Sequence, residues 1–219
     1  MGLTKHLRNQ IGGVLQYDFG KTIQNGVFQP TGTLDKPPSS LRAFVGQLEA
    51  IHLVEDSAVS AILSDIFQSN PRIAERFRYP GVDYDVLFEV AYPHSDDKPN
   101  CSTCDRTRVV HRTPRSSTDP IIHYGLIASA NQVMKDSITR DKLRQELGIL
   151  CFEMEAAGLM DNCPCLVIRG ICDYSDSHKH KQWQPYAAIT AAAYAKELLQ
   201  TIPSISVTGE QPIQLVAGE

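Results

Sequence analysis

The chain has 219 residues, 42% hydrophobic and 21% charged, a composition that excludes disordered, collagen-like and coiled-coil chains and is typical of a globular domain. Its 21 Lys and Arg against 25 Asp and Glu give a net charge of −4, so we expect no nucleic-acid partner. No apolar stretch approaches the ~20 residues that span a bilayer, and Met1 begins no signal-peptide pattern, so we expect no membrane partner and a cytoplasmic location.

The first third of the sequence alternates strand-like and helical patterns. Residues 13–33 predict a β-hairpin whose first strand covers 14–19, and Asn25-Gly26 supplies the positive φ values of its tight turn. Apolar residues at helical spacing then predict two helices, over 41–51 and 59–67.

A change in composition interrupts this pattern after a short predicted strand at 86–92. Charged and turn-forming residues dominate 93–120, which we interpret as a long surface insert. Beyond the insert, alternating patterns predict strands at 121–129, 148–154 and 165–172, and helices at 139–147, 156–161 and 186–202.

Consecutive apolar residues in the later strands, such as Cys165-Leu166-Val167-Ile168, are typical of parallel strands covered on both faces. The predicted fold class is therefore α/β, with a mixed sheet flanked by helices. We expect a single domain over 1–203, with 93–120 as its insert, and a loose tail over 204–219.

Two predicted strands end in acidic residues. Glu155 follows the strand at 148–154, and Asp173 follows the strand at 165–172. Because ligands bind beyond the carboxyl ends of parallel strands, the two carboxylates are expected to face one crevice. The alternative is that Glu155 favours a helix N-terminus and Asp173 caps a turn.

Three segments together resemble one known family. They are the run Cys151-Phe152-Glu153-Met154-Glu155-Ala156-Ala157-Gly158, the run Val167-Ile168-Arg169-Gly170-Ile171-Cys172-Asp173-Tyr174-Ser175-Asp176, and the helix at 186–199. Their combination resembles the purine nucleoside phosphorylase superfamily over residues 11–203, and in particular the 5′-methylthioadenosine/S-adenosylhomocysteine nucleosidase-like domain of fungal signalling proteins. The resemblance implies a phosphorylase/hydrolase-like fold.

The resemblance also implies roles for individual residues. Asp173 corresponds to the acid that protonates the purine ring as the base departs. Glu155 corresponds to the residue that holds the ribose hydroxyls, with Met154 packed under the sugar. Cys172 stands where relatives often have Ser beside the acid. The implied substrate-binding residues are Glu155, Met154, Phe152, Glu153, Val133, Met134 and Cys172.

The implied activity is cleavage of the N-ribosidic bond of a purine nucleoside or nucleotide, with phosphate or water as acceptor and no cofactor. A carboxylate on the ribose, such as Glu155, stabilises an oxocarbenium-like transition state more than the ground state. The acid must still carry its proton near neutral pH, so we expect burial to raise the pKa of Asp173 above its ordinary value of about 3.9.

Part of the family pattern has no counterpart here. The resemblance implies preceding strands, a Gly-rich phosphate loop and a water-activating Glu, none of which is found ahead of Ile11. The chain is therefore interpreted as N-terminally shortened, as completed by a partner, or as a catalytically inactive derivative. The alternative function is a purine-binding or assembly module of a signalling protein. An incomplete sheet leaves an edge strand, so a homo-oligomer is expected.

Two further patterns have competing interpretations. Cys101-Ser102-Thr103-Cys104 has zinc-ligand spacing and lies between His94 and His111, but without a second close ligand pair we favour exposed thiols and no metal. His178-Lys179-His180-Lys181 is interpreted as a solvated basic loop. Arg169, within an apolar strand, is expected to pair with Glu153.

Overall fold

The computed structural model describes residues 13–26, 28–31, 34–95 and 100–203. Its central sheet has three parallel strands in the order β1 (Val14–Gln16), β4 (Leu126–Ser129) and β5 (Ile149–Glu153). A separate antiparallel pair joins β2 (Gly20–Thr22) to β3 (Phe28–Pro30). The α/β class, with a parallel sheet flanked by helices, is confirmed. Instead of one mixed sheet, the described residues form two separate sheets, one with parallel strands and one with antiparallel strands.

The predicted hairpin is wrong in its first strand. β1 pairs in parallel with β4, with Val14 opposite Ile127, and the reversal at Asn25 joins β2 to β3 instead. The exposed fractions explain this: Val14 and Leu15 are 3% and 7% exposed, so burial in the central sheet is favoured over an exposed hairpin. Asn25 and Gly26 do have the expected positive φ values, 67° and 73°.

The helices fall where the periodicity predicts them, with shifted ends. Asn70-Pro71 ends the second helix, and Pro71 also begins a third, because proline suits the first helical position. The helices are α1 (Ser39–Ile51), α2 (Val59–Ser69), α3 (Pro71–Phe77), α4 (Ser137–Leu147), α5 (Ala156–Met160) and α6 (Trp183–Thr201). Among the described residues, no helix has the length and apolar character needed to cross a bilayer.

Three apolar clusters hold these elements together. One lies between the central sheet and α4, a second between α2 and α6, and a third between β1 and α5. The predicted strand at 165–172 has no hydrogen-bonded strand partner among the described residues. It is fixed instead by packing, with Cys165 and Val167 against the third cluster. The predicted tail at 204–219 and residues 1–12 lie outside the described residues.

The segment before Asp173 also packs tightly against α6. A Cβ added at Gly170 would lie 1.9 Å from the backbone oxygen of Ala187. Because that oxygen belongs to a helix backbone, it cannot move aside cheaply. Only glycine therefore lets this segment approach α6 so closely.

Gly170→Ala is expected to lower the free energy of unfolding by about 3 kcal/mol, the upper part of the range for overpacking. Gly158→Ala is the matched control, since a Cβ at this exposed position in α5 meets nothing within 4 Å. For Gly158→Ala we expect the free energy of unfolding to rise by up to about 1 kcal/mol, because alanine has a higher helix propensity than glycine. Urea unfolding of both variants checks the pair, and equal stabilities would contradict the packing described.

A buried carboxylate joins α6 to the first two helices. Glu197, 7% exposed, accepts hydrogen bonds from the backbone N–H of Ala58 at 2.7 Å, Ser57 Oγ at 2.8 Å and His52 Nε2 at 3.0 Å. Burial opposes ionisation of Glu197, but hydrogen bonds from Ala58, His52 and Ser57 outweigh it and lower its pKa from the ordinary 4.5. The ionised carboxylate therefore stabilises the fold.

Glu197→Gln is expected to reduce stability at pH 7 by about 1.5–3 kcal/mol, the value of hydrogen bonds to a charged group. A lowered folded-state pKa gives stability that is fully present above the unfolded value and lost as the pH falls through the folded value. The difference from wild type should therefore shrink below pH 4.5. Unfolding curves at several pH values test this, with the exposed Glu146→Gln as control. A difference that persists undiminished in acid would contradict it.

Candidate active site

Glu153 lies where β5 ends and α5 begins. Its carboxylate accepts hydrogen bonds from the backbone N–H groups of Glu155, at 3.1 Å, and Ala156, at 2.9 Å. The residue is 8% exposed. These contacts satisfy N–H groups at the start of α5, so Glu153 caps the turn into that helix.

Glu155 is exposed and is bound by Arg169. Arg169 Nη2 donates to Glu155 Oε2 at 2.8 Å, whereas its Nε lies 4.0 Å from Glu153 Oε2. The ion pair expected between Arg169 and Glu153 is therefore secondary to the one with Glu155. Arg169 links the end of β5 to the segment that leads to Asp173.

Asp173 is held through one of its two oxygens. Oδ1 accepts hydrogen bonds from the Ser175 backbone N–H at 2.8 Å and from Lys179 Nζ at 2.7 Å. Among the described residues, Oδ2 is contacted by the thiol of Cys172 at 3.8 Å. Burial, with the negative charge of Asp173, raises the pKa of that thiol, so Cys172 stays protonated and can donate to Oδ2.

The predicted solvated loop at 178–181 is not confirmed. Lys179 bonds to Asp173, and His178 is 7% exposed. The loop folds back on the strand end that precedes it. No periodic pattern in the sequence indicates that this loop returns to Asp173.

A cleft of about 890 Å³ opens beside Asp173, a volume typical of small-molecule sites. Three of the sequence-predicted residues line it, namely Phe152, Cys172 and Asp173, and so does Arg169. Its other walls include residues of 84–88, 120–125, α4 and α6.

The remaining sequence-predicted residues lie outside the lining of this cleft. Val133 and Met154 are exposed, and Glu155 reaches the cleft wall through Arg169. Met134 is 8% exposed and packs in the cluster between the sheet and α4, where its apolar side chain is buried with Leu15.

One polar cluster in the cleft wall gave no signal in the sequence. Asp85 is bound by Tyr174, through a hydroxyl hydrogen bond, and by Arg112 Nη2 at 3.1 Å. Burial opposes ionisation of Asp85, but the hydrogen bonds from Tyr174 and Arg112 outweigh it and lower its pKa. Burial and the neighbouring Asp85 raise the pKa of Tyr174 to about 12. The cluster fixes residue 174, directly after the candidate acid.

No family model matches the chain, and no solved structure gives a significant match. A nucleotide-binding leucine-rich repeat (NLR)-like protein of Hyaloscypha variabilis is 42% identical over 190 residues, 87% of this chain and 18% of that protein. A 5′-methylthioadenosine/S-adenosylhomocysteine nucleosidase of Mycobacterium tuberculosis is 30% identical over 92 residues, 40% of this chain and 36% of that protein.

A third relative is the ATP nucleosidase Cap17 of Escherichia coli, 33% identical over 86 residues, 36% of this chain and 17% of that protein. The chain thus spans only a minor part of each of these relatives. Over about 40% of its length it is weakly homologous to nucleosidases, and over most of its length it is similar to an NLR-like protein.

Proposed function

We propose that the cleft binds a purine nucleoside or nucleotide and that this chain contributes to cleavage of its N-ribosidic bond. Asp173 is the general acid to the departing purine, and Glu155 holds the ribose hydroxyls. The observation that carries the proposal is the setting of Asp173, which lines the cleft with one oxygen anchored twice. The similarity to nucleosidases that act on nucleosides and on ATP supports the substrate class.

The contacts of Asp173 orient its carboxyl group. Ser175 and Lys179 fix Oδ1, so a proton transferred to the base would come from Oδ2. As the bond between C1′ and the purine breaks, its electron pair goes to the base, and a purine ring nitrogen takes the proton from Oδ2. A positioned acid of this kind contributes about 10²- to 10⁴-fold to the rate. The Cys172 thiol, at 3.8 Å, supports the orientation of that oxygen.

The proposed role of Glu155 is to bind the ribose of the substrate. Its ion pair with Arg169 uses Oε2, which leaves Oε1 for a ribose hydroxyl. The negative charge of the carboxylate favours the positive charge that develops on the sugar, so the contact strengthens in the transition state. Water or phosphate then adds to C1′, and an attacking water releases a proton as the new C1′–O bond forms.

Product analysis by chromatography tests this function. The purified chain is incubated with adenosine, methylthioadenosine, inosine and ATP, each with and without phosphate. Release of free base without phosphate identifies a nucleosidase, and release that requires phosphate identifies a phosphorylase. A folded chain that neither releases base nor binds any of the four compounds would overturn the proposal.

A second function is favoured by one comparison. The similarity to an NLR-like protein extends over 87% of this chain, more than twice the share matched by either nucleosidase. A purine-sensing or assembly module of a signalling protein fits that similarity. Saturable purine binding with no free base released would favour the sensing module over the enzyme.

A further inference from the structure

Beside the candidate active site, His178 lies against two cysteines that form a close group with His94. The sequence-based expectation of exposed thiols is wrong for Cys101, which is 6% exposed. The ligand atoms of His94, Cys101 and Cys104 all lie within 4.8 Å of one another. His111, the other histidine considered from the sequence, is exposed, and His178 from the loop after Asp173 lies beside the two sulfurs instead.

The cysteines are presented by a short, well-defined turn. The Cys104 backbone N–H bonds to the Cys101 oxygen at 3.2 Å, and the Asn100 side chain accepts from the Ser102 N–H at 3.0 Å. This closes a 3₁₀ turn over Cys101–Thr103 and brings both sulfurs to one side. Two cysteines separated by two residues in such a turn are a common half of a structural zinc site.

His178 is prepared as a ligand by the hydrogen bond on its far nitrogen. Its Nε2 donates to the backbone oxygen of Tyr92 at 2.8 Å, which leaves the lone pair on Nδ1. Nδ1 lies 3.6 Å from Cys101 Sγ and 3.9 Å from Cys104 Sγ. Ligating histidines usually donate their other N–H to a carbonyl or carboxylate in this way, which fixes the tautomer and the ring.

His94 has a ring nitrogen that is available to bind a metal ion. Its Nε2 is buried and has no hydrogen-bond partner among the described residues. A buried ring nitrogen without a partner costs free energy unless something else binds it. The His94 ring stands edge-on to His178, with centroids 5.4 Å apart at 88°, so the two rings approach the sulfurs from different directions.

We propose that His94, Cys101, Cys104 and His178 bind one zinc ion in tetrahedral geometry. Bond lengths of about 2.3 Å to sulfur and 2.0 Å to nitrogen separate tetrahedral ligand atoms by roughly 3.5 Å, close to the distances from His178 Nδ1 to both sulfurs. Two thiolates and two imidazoles select zinc over the oxygen-preferring Mg²⁺ and Ca²⁺. Four protein ligands leave no open position, so the ion is structural.

The surroundings of the cluster suit a closed site. Phe88 stacks on His178, with ring centroids 4.1 Å apart, and Phe88 is 2% exposed. His94 also donates its backbone N–H to Ser177 Oγ at 2.8 Å, so the segment around residue 94 is already bonded to the loop around residue 177. The zinc ion would therefore join the predicted insert to the loop that carries Lys179.

Metal analysis of the full chain, purified in reducing buffer without a metal-affinity step, tests the site. We expect one zinc ion per chain, and binding weakened more than about 100-fold in Cys104→Ser and in His94→Asn, because each loses a direct ligand. The matched controls are Cys163→Ser and His111→Asn, which should keep the ion. Cobalt substituted for zinc should give the visible absorption of a tetrahedral thiolate complex, and Cys104→Ser should abolish it.

These measurements do not depend on turnover, so they can contradict the zinc site without contradicting the proposed activity. A folded wild-type chain that takes up less than about a tenth of an equivalent of zinc after reconstitution would overturn the proposal. A disulfide between Cys101 and Cys104 in the purified protein, resistant to mild reductant and recognised by mass, would overturn it as well. Loss of the ion in His111→Asn alone would assign the ligands differently and contradict the site described.

Discussion

Asp173→Asn is expected to reduce the release of free purine by about 10²- to 10⁴-fold, the contribution of a positioned general acid. Asparagine has the shape of aspartate, and its oxygen still accepts from the Ser175 N–H and from Lys179, so the loop around residue 173 should keep its conformation. What is lost is the group that can transfer a proton to the departing base. Rates with a saturating nucleoside, followed by chromatography of the base, measure the effect.

The matched control for this variant is Asp161→Asn, an exposed aspartate at the end of α5. It makes the same chemical change outside the cleft and should leave the rate within about twofold, as surface substitutions usually do. Unfolding curves establish that both variants are folded. Equal rates for Asp173→Asn and wild type would remove Asp173 from the mechanism, whatever the substrate.

Glu155→Gln is expected to lower kcat/KM by about 10²-fold, the usual effect of removing one electrostatic contact to the transition state. The glutamine keeps the size of the side chain but loses both the charge that faces the sugar and the ion pair with Arg169. Because Glu155 is exposed, the change should barely alter stability.

A comparison of ribonucleosides with 2′-deoxyribonucleosides sharpens this prediction. If Glu155 holds a ribose hydroxyl, wild type should prefer the ribonucleoside, and Glu155→Gln should lose most of that preference. Glu146→Gln, an exposed glutamate in α4, is the control and should keep it. A preference that Glu155→Gln retains in full would contradict the role of Glu155 as the ribose clamp.

The local patterns in the sequence were enough for the class of fold and for most helices. Runs of consecutive apolar residues predict β4 and β5, and helical spacing predicts α1 and α2, because each pattern reflects burial of nearby residues. The sequence also indicates that Glu155 and Asp173 each follow an apolar run. Arg169 links Glu155 to the segment that leads to Asp173.

These local patterns do not predict contacts between distant segments of the chain. Val14–Gln16 looked like a hairpin strand, since nothing local reports that Val14 pairs with Ile127. The same limit explains His178, which meets Cys101 across 77 residues, and Asp85, which meets Tyr174 across 89. The charged residues around Lys179 indicate a solvated loop for a related reason, because the composition of a loop does not show which segment the loop packs against.

The central claim is that the cleft beside Asp173 binds a purine ribonucleoside or its nucleotide, with the ribose reaching Glu155, which lies outside the cleft lining and is bonded to Arg169 in the cleft wall. Calorimetric titration of the purified chain with adenosine, methylthioadenosine, inosine and ATP tests this most directly, under conditions where any turnover is separately measured. We predict saturable binding of at least one of them, competed by the free base and weakened about tenfold or more in Glu155→Gln, the loss of one charged hydrogen bond. No binding of any of the four to a folded chain, or equal binding by Glu155→Gln and Glu146→Gln, would contradict it.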